Sequence, residues 1–192
     1  FGKPNWFEFS AQEHQSVRES VGLLDLTAFA KFRVEGRDAE KELNRICSND
    51  LAVTPGQWVY TQCLNDRGGI EADFTVTRVS SDVFLIITSG SSQVRDFSWL
   101  KSKIDPKAHC VITDITSALA VIGIQGPKSR DLLQGLTSVE LSNTAFLFKS
   151  SAEIDIGYAF VRASRISYMG ELGWELYIPS EFSANVYSVI KD

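Results

Sequence analysis

The sequence is 192 residues long, 44% apolar and 11% aromatic, with 19 basic against 24 acidic residues for a net charge of −5. That is enough apolar material for one packed domain, and it excludes wholesale disorder. The negative balance excludes a global attraction to nucleic acid or to an anionic membrane, and the longest apolar runs, at 83–87 and 118–124, are strand-sized and far short of a membrane span.

Residues 10–21, SAQEHQSVRESV, open with Ser10 followed three positions later by Glu13, a capping box that predicts a helix ending near Gly22. KFRVE at 31–35 alternates and reads as a strand stopped by Gly36; Asp38 then caps a helix to about Ile46. Residues 58–64 and 71–79 are predicted strands joined by the hairpin loop NDRGG at 65–69, whose glycines suit positive φ. Residues 83–88 add a third strand to this meander. A helix follows over 93–103 with Phe97 and Leu100 inward, then strands at 111–114 and 118–124.

Gly126-Pro-Lys-Ser predicts a helix with Pro127 at its first position. Strands are expected near 154–163 and 173–178, and a last helix from Ser180. That helix reaches Asp192 without a terminating Gly or Pro, which reads as a truncated chain; Phe1 in place of an initiator Met reads as a processed or excised piece, with no secretory signal pattern. The order of strands followed by a helix occurs twice, which suggests an internal duplication. The fold class is α+β, with mainly antiparallel sheets and packed helices.

Cys47, Cys63 and Cys110 are odd in number and widely spaced, and His14 and His109 stand apart. This pattern argues against a disulfide framework and a zinc site, and for buried or incidental cysteines in a reducing compartment. There is no GxGxxG after a strand and no P-loop, so a nucleotide cofactor has no site of the usual kind. Ser-His-Asp catalysis would have to recruit His14 or His109, neither in a nucleophile-like setting. The helix start at Gly126-Pro-Lys-Ser reads as packing before it reads as an anion site.

Two stretches keep two readings each. In IEADFTVT at 70–77, Ile70, Ala72, Phe74 and Val76 share one face and Asp73 shares the other with Glu71, Thr75 and Thr77. That is an amphipathic strand with a solvated face, or a carboxylate in a polar cavity able to hold or move protons. In ISYMGELGWELYIP at 166–179, Leu172, Trp174, Leu176 and Ile178 share one parity, and Glu171, Gly173, Glu175 and Tyr177 the other. The second set is the wet side of a half-buried sheet, or a pocket wall that a ligand approaches over Gly173.

RGGIEADFTV at 67–76 and ISYMGELGWELYIP together resemble the folate-binding domain of the glycine-cleavage T-protein (aminomethyltransferase) family. More narrowly, they are similar to the C-terminal half of dimethylglycine and sarcosine dehydrogenases. Asn5-Trp-Phe, Phe29-Ala-Lys-Phe32, Ser48-Asn-Asp50, Val59-Tyr-Thr61 and Gln125-Gly-Pro127 carry the resemblance over essentially the whole chain, 1–192, though the family's unit continues past Asp192 into a small barrel.

The resemblance implies a bound tetrahydrofolate that accepts a one-carbon unit from a methylated amine of the dimethylglycine or sarcosine kind. FAD belongs to the oxidase half of a longer parent chain, in the cytoplasm or the mitochondrial matrix. By the same resemblance Asp73 is the catalytic carboxylate, Tyr60, Tyr168 and Glu175 line the pterin site with Glu175 forking onto two pterin N–H groups, and Glu171 stabilises the loop around Gly170. Thr88, where the T-protein has Asn, fits the dehydrogenase branch. The alternatives are a free-standing aminomethyltransferase or folate-dependent demethylase, and a noncatalytic regulatory protein of the same fold.

Overall fold

A computed structural model describes residues 2–192. In chain order the elements are α1 (Phe7–Glu19), β1 (Gly22–Asp25), β2 (Ala30–Glu35), α2 (Ala39–Ile46), β3 (Trp58–Leu64), β4 (Ile70–Arg78), β5 (Val83–Thr88), α3 (Gln93–Lys103) and β6 (Val111–Asp114). They continue with β7 (Leu119–Gln125), α4 (Ser129–Gln134), β8 (Ser151–Ile156), β9 (Ala159–Ser164), β10 (Gly173–Pro179) and α5 (Ser183–Lys191). The α+β class follows: the strands form two five-stranded sheets, ordered β3-β4-β5-β2-β6 and β1-β7-β10-β9-β8. The ladders β3–β4, β4–β5, β2–β5, β2–β6, β1–β7 and β9–β10 are antiparallel. Among the described residues, no helix is long and apolar enough to cross a membrane.

Each sheet belongs to its own compact unit. The one built on β3-β4-β5-β2-β6 comprises Ala28–Leu119 and Lys149–Ser151. Its core takes the inward parity of the meander and of β2, namely Phe32, Val34, Phe74, Val76, Phe84 and Ile86, closed by Leu43 of α2 and Leu100 of α3. Phe97 of α3 packs its ring 5.4 Å from that of Phe32. The other unit runs up to Thr27 and includes Ala120–Phe148 and Ala152–Asp192. There Ile124, Val161, Trp174, Leu176 and Ile178 of the sheet meet Leu133 of α4 and Val186 and Ile190 of α5. Fully burying an aliphatic or phenyl side chain of this kind contributes about 1.5–3 kcal/mol, so both cores rest on the inward parity of their strands.

The two sheets are copies of one plan. β3-β4-β5-β2-β6 matches β8-β9-β10-β7-β1 place by place: three consecutive strands, a strand that feeds a helix, and an edge strand. Each triplet ends in a short 3-10 turn, Gly90–Ser92 or Ser180–Phe182, that leads into α3 or α5. The feeding strands β2 and β7 both end at a glycine in a backbone region that L side chains avoid, Gly36 at φ +133 and Gly126 at φ +131. A Cβ at Gly36 would stand 2.1 Å from the His109 carbonyl oxygen, and one at Gly126 2.4 Å from that of Ser20. Both corners therefore demand glycine twice over, by conformation and by space.

Several local expectations fail for identifiable reasons. α1 starts at Phe7, where the Phe7 N–H to Pro4 carbonyl turn opens it, so Ser10 is inside the helix and its capping box is not formed. Asp38 is the N-cap of α2, but its carboxylate accepts the His109 N–H at 2.7 Å instead of a helix N–H. Pro127 precedes the α4 N-cap, Lys128, because the Gly126 corner takes up that residue. The span 154–163 is a hairpin, β8 and β9, turned at Gly157 with φ +58. Gly22–Asp25 is a short strand with no counterpart in the sequence reading.

If the Gly126 corner is as constrained as its geometry indicates, Gly126→Ala lowers stability by about 1–3 kcal/mol, the usual cost of a forced backbone outlier. Gly135→Ala, at φ −69 with its nearest neighbour atom 3.4 Å away, stays within about 0.5 kcal/mol of the parent. Urea unfolding midpoints of the two variants check the contrast.

Candidate functional site

The site on the meander starts with a hairpin register. Asn65 closes the loop: its side-chain oxygen accepts the N–H groups of Arg67 and Gly69, and its amide donates to the Glu71 carboxylate at 2.8 Å. Pairing then runs Leu64 opposite Ile70, but Cys63 opposite Ala72 and Gln62 opposite Asp73, with the register shift at Cys63/Leu64. Glu71 is the extra residue of a β-bulge. From there Tyr60 lies opposite Thr75, so Tyr60 and Asp73 are diagonal neighbours on one face of the sheet.

On that face the Tyr60 hydroxyl donates to Asp73 Oδ2 at 2.6 Å, and both residues are exposed. The opposite face, with Val59, Cys63, Ala72, Phe74 and Val76, is core. Behind Tyr60, Asn49 ties the 47–51 segment to the strand: its N–H donates to Thr61 Oγ1 at 3.0 Å and its side-chain amide to the Tyr60 carbonyl at 3.1 Å. Thr88 turns its hydroxyl onto buried Asp96 at 2.7 Å and lies 3.4 Å from the Asp73 carbonyl. An exposed carboxylate with one oxygen held by a phenol can accept a ligand's N–H or take up a proton.

In the other unit Glu175 and Tyr177 overturn the wet-side reading. β10 lies between β7 and β9, and every residue from Gly173 to Ile178 is buried, including Glu175 (7% exposed) and Tyr177 (2%). A strand with sheet neighbours on both sides and packing on both faces has no solvated parity. Glu175 stands opposite Ser164 of β9, and the Tyr177 hydroxyl donates to its Oε2 at 2.5 Å. Burial pushes the Glu175 carboxyl up from 4.5, with the Tyr177 hydrogen bond pulling partly back. Tyr177 is pushed well above its usual value, first by burial and then by the Glu175 charge. Gly173 offers no approach to a ligand: the space of its missing Cβ holds the Gln125 side-chain amide, whose Oε1 would stand 1.9 Å from it.

Tyr168 sits on the loop between β9 and β10 and is 94% exposed. With Met169 it borders an open cleft of about 820 Å³, whose other walls are α1 residues such as His14 and Arg18 and the β1 stretch from Gly22 to Leu26. Arg18 also pairs with Glu171 at 2.5 Å and reaches the Met169 carbonyl, so Glu171 anchors this loop. Of the four sequence-derived site residues, Tyr60 and Asp73 are in hydrogen-bond contact in one unit, whereas Tyr168 and Glu175 belong to the other. Tyr177 was missed as a partner of Glu175; the signal was their i, i+2 spacing on one strand face. Among the described residues, no group of three or more His, Cys, Asp or Glu side chains is placed to hold a metal ion.

The GCVT N-terminal domain family matches the chain over residues 1–192. 4-Methylaminobutanoate oxidase (formaldehyde-forming) of Paenarthrobacter nicotinovorans is 40% identical over 99% of this chain and 23% of its own length. Mouse mitochondrial dimethylglycine dehydrogenase is 38% identical over 99% of this chain and 22% of its own. The chain thus spans less than a quarter of these curated relatives. The crystal structure of glycine cleavage system aminomethyltransferase T from Bartonella henselae superposes on 93% of this chain and 47% of that one with a TM-score of 0.81 at 24% identity, which shows the shared fold.

The Glu175 environment makes a pH prediction. Because the folded-state pKa lies above the ordinary 4.5, the folded chain keeps a proton that the unfolded chain releases. The stabilisation this brings is complete below about 4.5 and is lost as pH rises through the raised value. Glu175→Gln removes the titration, so it gains stability relative to the parent as pH climbs through that window. Urea unfolding of both chains from pH 4 to pH 8 measures the difference; parallel curves would mean that the carboxyl titrates alike in both states.

Proposed function

The chain belongs to the GCVT N-terminal domain family, and on that footing we propose that it is a tetrahydrofolate-binding module. It accepts a one-carbon unit from an N-methyl or aminomethyl amine, as part of a longer flavin-dependent demethylating dehydrogenase. The observation that carries this reading is the exposed Tyr60–Asp73 pair, held at 2.6 Å by a bulged hairpin. Reduced folate presents ring N–H donors and a flat heteroaromatic face. A solvent-facing carboxylate suits the former and the exposed Tyr60 ring the latter, so the residues present fit the ligand.

When bound, tetrahydrofolate supplies the nitrogens that take up the carbon. This chain's residues do the rest. Asp73 accepts an N–H of the pterin and takes the proton released as the new bond forms. Tyr60, its hydroxyl fixed on Oδ2, holds the carboxylate in one rotamer and sets its own ring beside the ligand. Glu175 accepts from Tyr177 with one oxygen, which leaves the lone pairs of its other oxygen for a donor.

The names of the relatives, an oxidase and a dehydrogenase of methylated amines, support a donor of that class. With such a donor goes an FAD-bearing oxidase half as partner in the same longer chain, in the cytoplasm or in the mitochondrial matrix, the compartment that the mouse relative's name prints being mitochondrial.

In the full-length protein, Asp73→Asn should lower methylenetetrahydrofolate formation by about 100- to 10,000-fold, the usual worth of general acid–base assistance, while the amine still reduces the flavin. Tyr60→Phe, which removes one hydrogen bond to a charged group, should cost about 10- to 100-fold. Single-turnover assays with and without folate separate the two steps. Unchanged folate-dependent turnover in Asp73→Asn would return that face to an ordinary solvated strand.

A further inference from the structure

Cys47 and Cys63 lie 16 residues apart in sequence, and their sulfurs are 3.9 Å apart in the core of the meander unit. Cys47 is the residue at the end of α2, and it forms an isolated antiparallel bridge with Cys63 of β3. The Ser48 N–H donates to the Gln62 carbonyl at 2.8 Å. The hydrogen bond thus joins the residue after Cys47 to the one before Cys63, which makes the two cysteines a non-hydrogen-bonded pair. Such pairs hold their Cα atoms about 4.5 Å apart and bring their side chains closest. A disulfide needs Cα atoms about 4.4–6.8 Å apart and sulfurs about 2.05 Å apart, so rotation about the Cα–Cβ bonds closes the gap without moving the strands.

We propose that Cys47 and Cys63 are an oxidation site, a dithiol that hydrogen peroxide converts into a cross-strand disulfide. The Cys47 sulfur attacks the peroxide oxygen, breaking the O–O bond and releasing water as the cysteine becomes a sulfenic acid. The Cys63 sulfur then displaces that hydroxyl as a second water, and the S–S bond forms. Two thiols and one peroxide give one disulfide and two waters.

The two cysteines are suited to different parts. Cys47 keeps 8% of its surface exposed while Cys63 keeps none. The hydrogen bond from Cys63, followed by that from Thr61, holds the Cys47 thiol below its ordinary value against the opposing effect of burial. Cys63 is pushed up by its bond to Cys47 and by burial. Cys47 is the attacking sulfur and Cys63 the resolving one. The bond would latch the 47–51 segment to β3. Asn49 of that segment already holds the Tyr60 carbonyl, so the latch lies directly behind the Tyr60–Asp73 face.

Cys110, half-buried, with its thiol pushed up to about 11 by burial and the nearby carboxylates of Glu42 and Asp38, serves as the internal control. The chain is treated with hydrogen peroxide, unfolded in iodoacetamide and weighed. With three free cysteines, the untreated chain takes up three alkyl groups. The treated chain should take up one, and chymotryptic cleavage between the two cysteines, at Trp58 or Tyr60, should give a single linked pair carrying Cys47 and Cys63, lighter by about 2 Da than the two peptides together. In Cys63→Ser, Cys47 should stop at the sulfenic acid and be trapped by dimedone. Three alkyl groups after treatment would overturn the proposal, as would oxidation confined to Cys110 or Cys47 carried to a sulfonic acid without a link.

Discussion

The Tyr60–Asp73 contact depends on a single extra residue. Leu64 pairs with Ile70, and an unbroken ladder from that point would set Tyr60 opposite Phe74 and Thr61 opposite Asp73. The two site side chains would then point to opposite faces of the sheet. The bulge at Glu71 shifts the ladder by one, so that Gln62 meets Asp73 and Tyr60 meets Thr75. A slip of one residue in a strand reverses every side chain beyond it, and here it brings the phenol and the carboxylate onto the same solvent face. Asn65 holds the slip in place by spending its oxygen on the loop and its amide on Glu71.

The two sheets share a plan, but one presents a phenol–carboxylate pair on its surface and the other carries a carboxylate inside. In the meander unit, Asp73 and Tyr60 occupy β4 and β3, where the sheet ends at β3 and one face is open. In the other unit Glu175 lies on β10, the middle strand of five, covered on both faces. Both carboxylates accept a tyrosine hydroxyl over a short distance, 2.6 Å and 2.5 Å. The geometry is alike and the surroundings are opposite. Asp73 can meet a ligand with no change in the fold, whereas Glu175 is first of all a buried polar group that Tyr177 satisfies.

Much of this was legible in the sequence, and the failures share a cause. The meander strands, α2, α3 and β10 were all readable because apolar parity and glycine punctuation agree there. Parity misled wherever a strand has two packed faces. It offered Glu175 and Tyr177 a wet face, although both are buried on β10. Period-two reasoning separates the faces of a strand but does not say whether either is wet; that depends on the strand's place in the sheet, which is a non-local fact. The Cys47–Cys63 contact was hidden for the same reason, since it requires the end of a helix to return beside β3. Family resemblance supplied Asp73 and Tyr60, but only the bulge explains how they meet.

The bulge also constrains the reverse side of the hairpin. By shifting the ladder it places Cys63 on the core face opposite Ala72, a residue small enough to leave the Cys63 sulfur room beside Cys47. On an unshifted ladder Cys63 would lie opposite Glu71, and the core face of β3 would meet the polar parity of β4. One inserted residue therefore sets both surfaces, the phenol–carboxylate pair outside and the thiol pair inside. Tyr60 and Cys63 are separated by two residues of one strand, and Asn49 joins the Cys47 segment to the Tyr60 backbone. A change in the bonding of the thiols has a direct mechanical route to the strand that carries Tyr60, through one side-chain amide and one ladder.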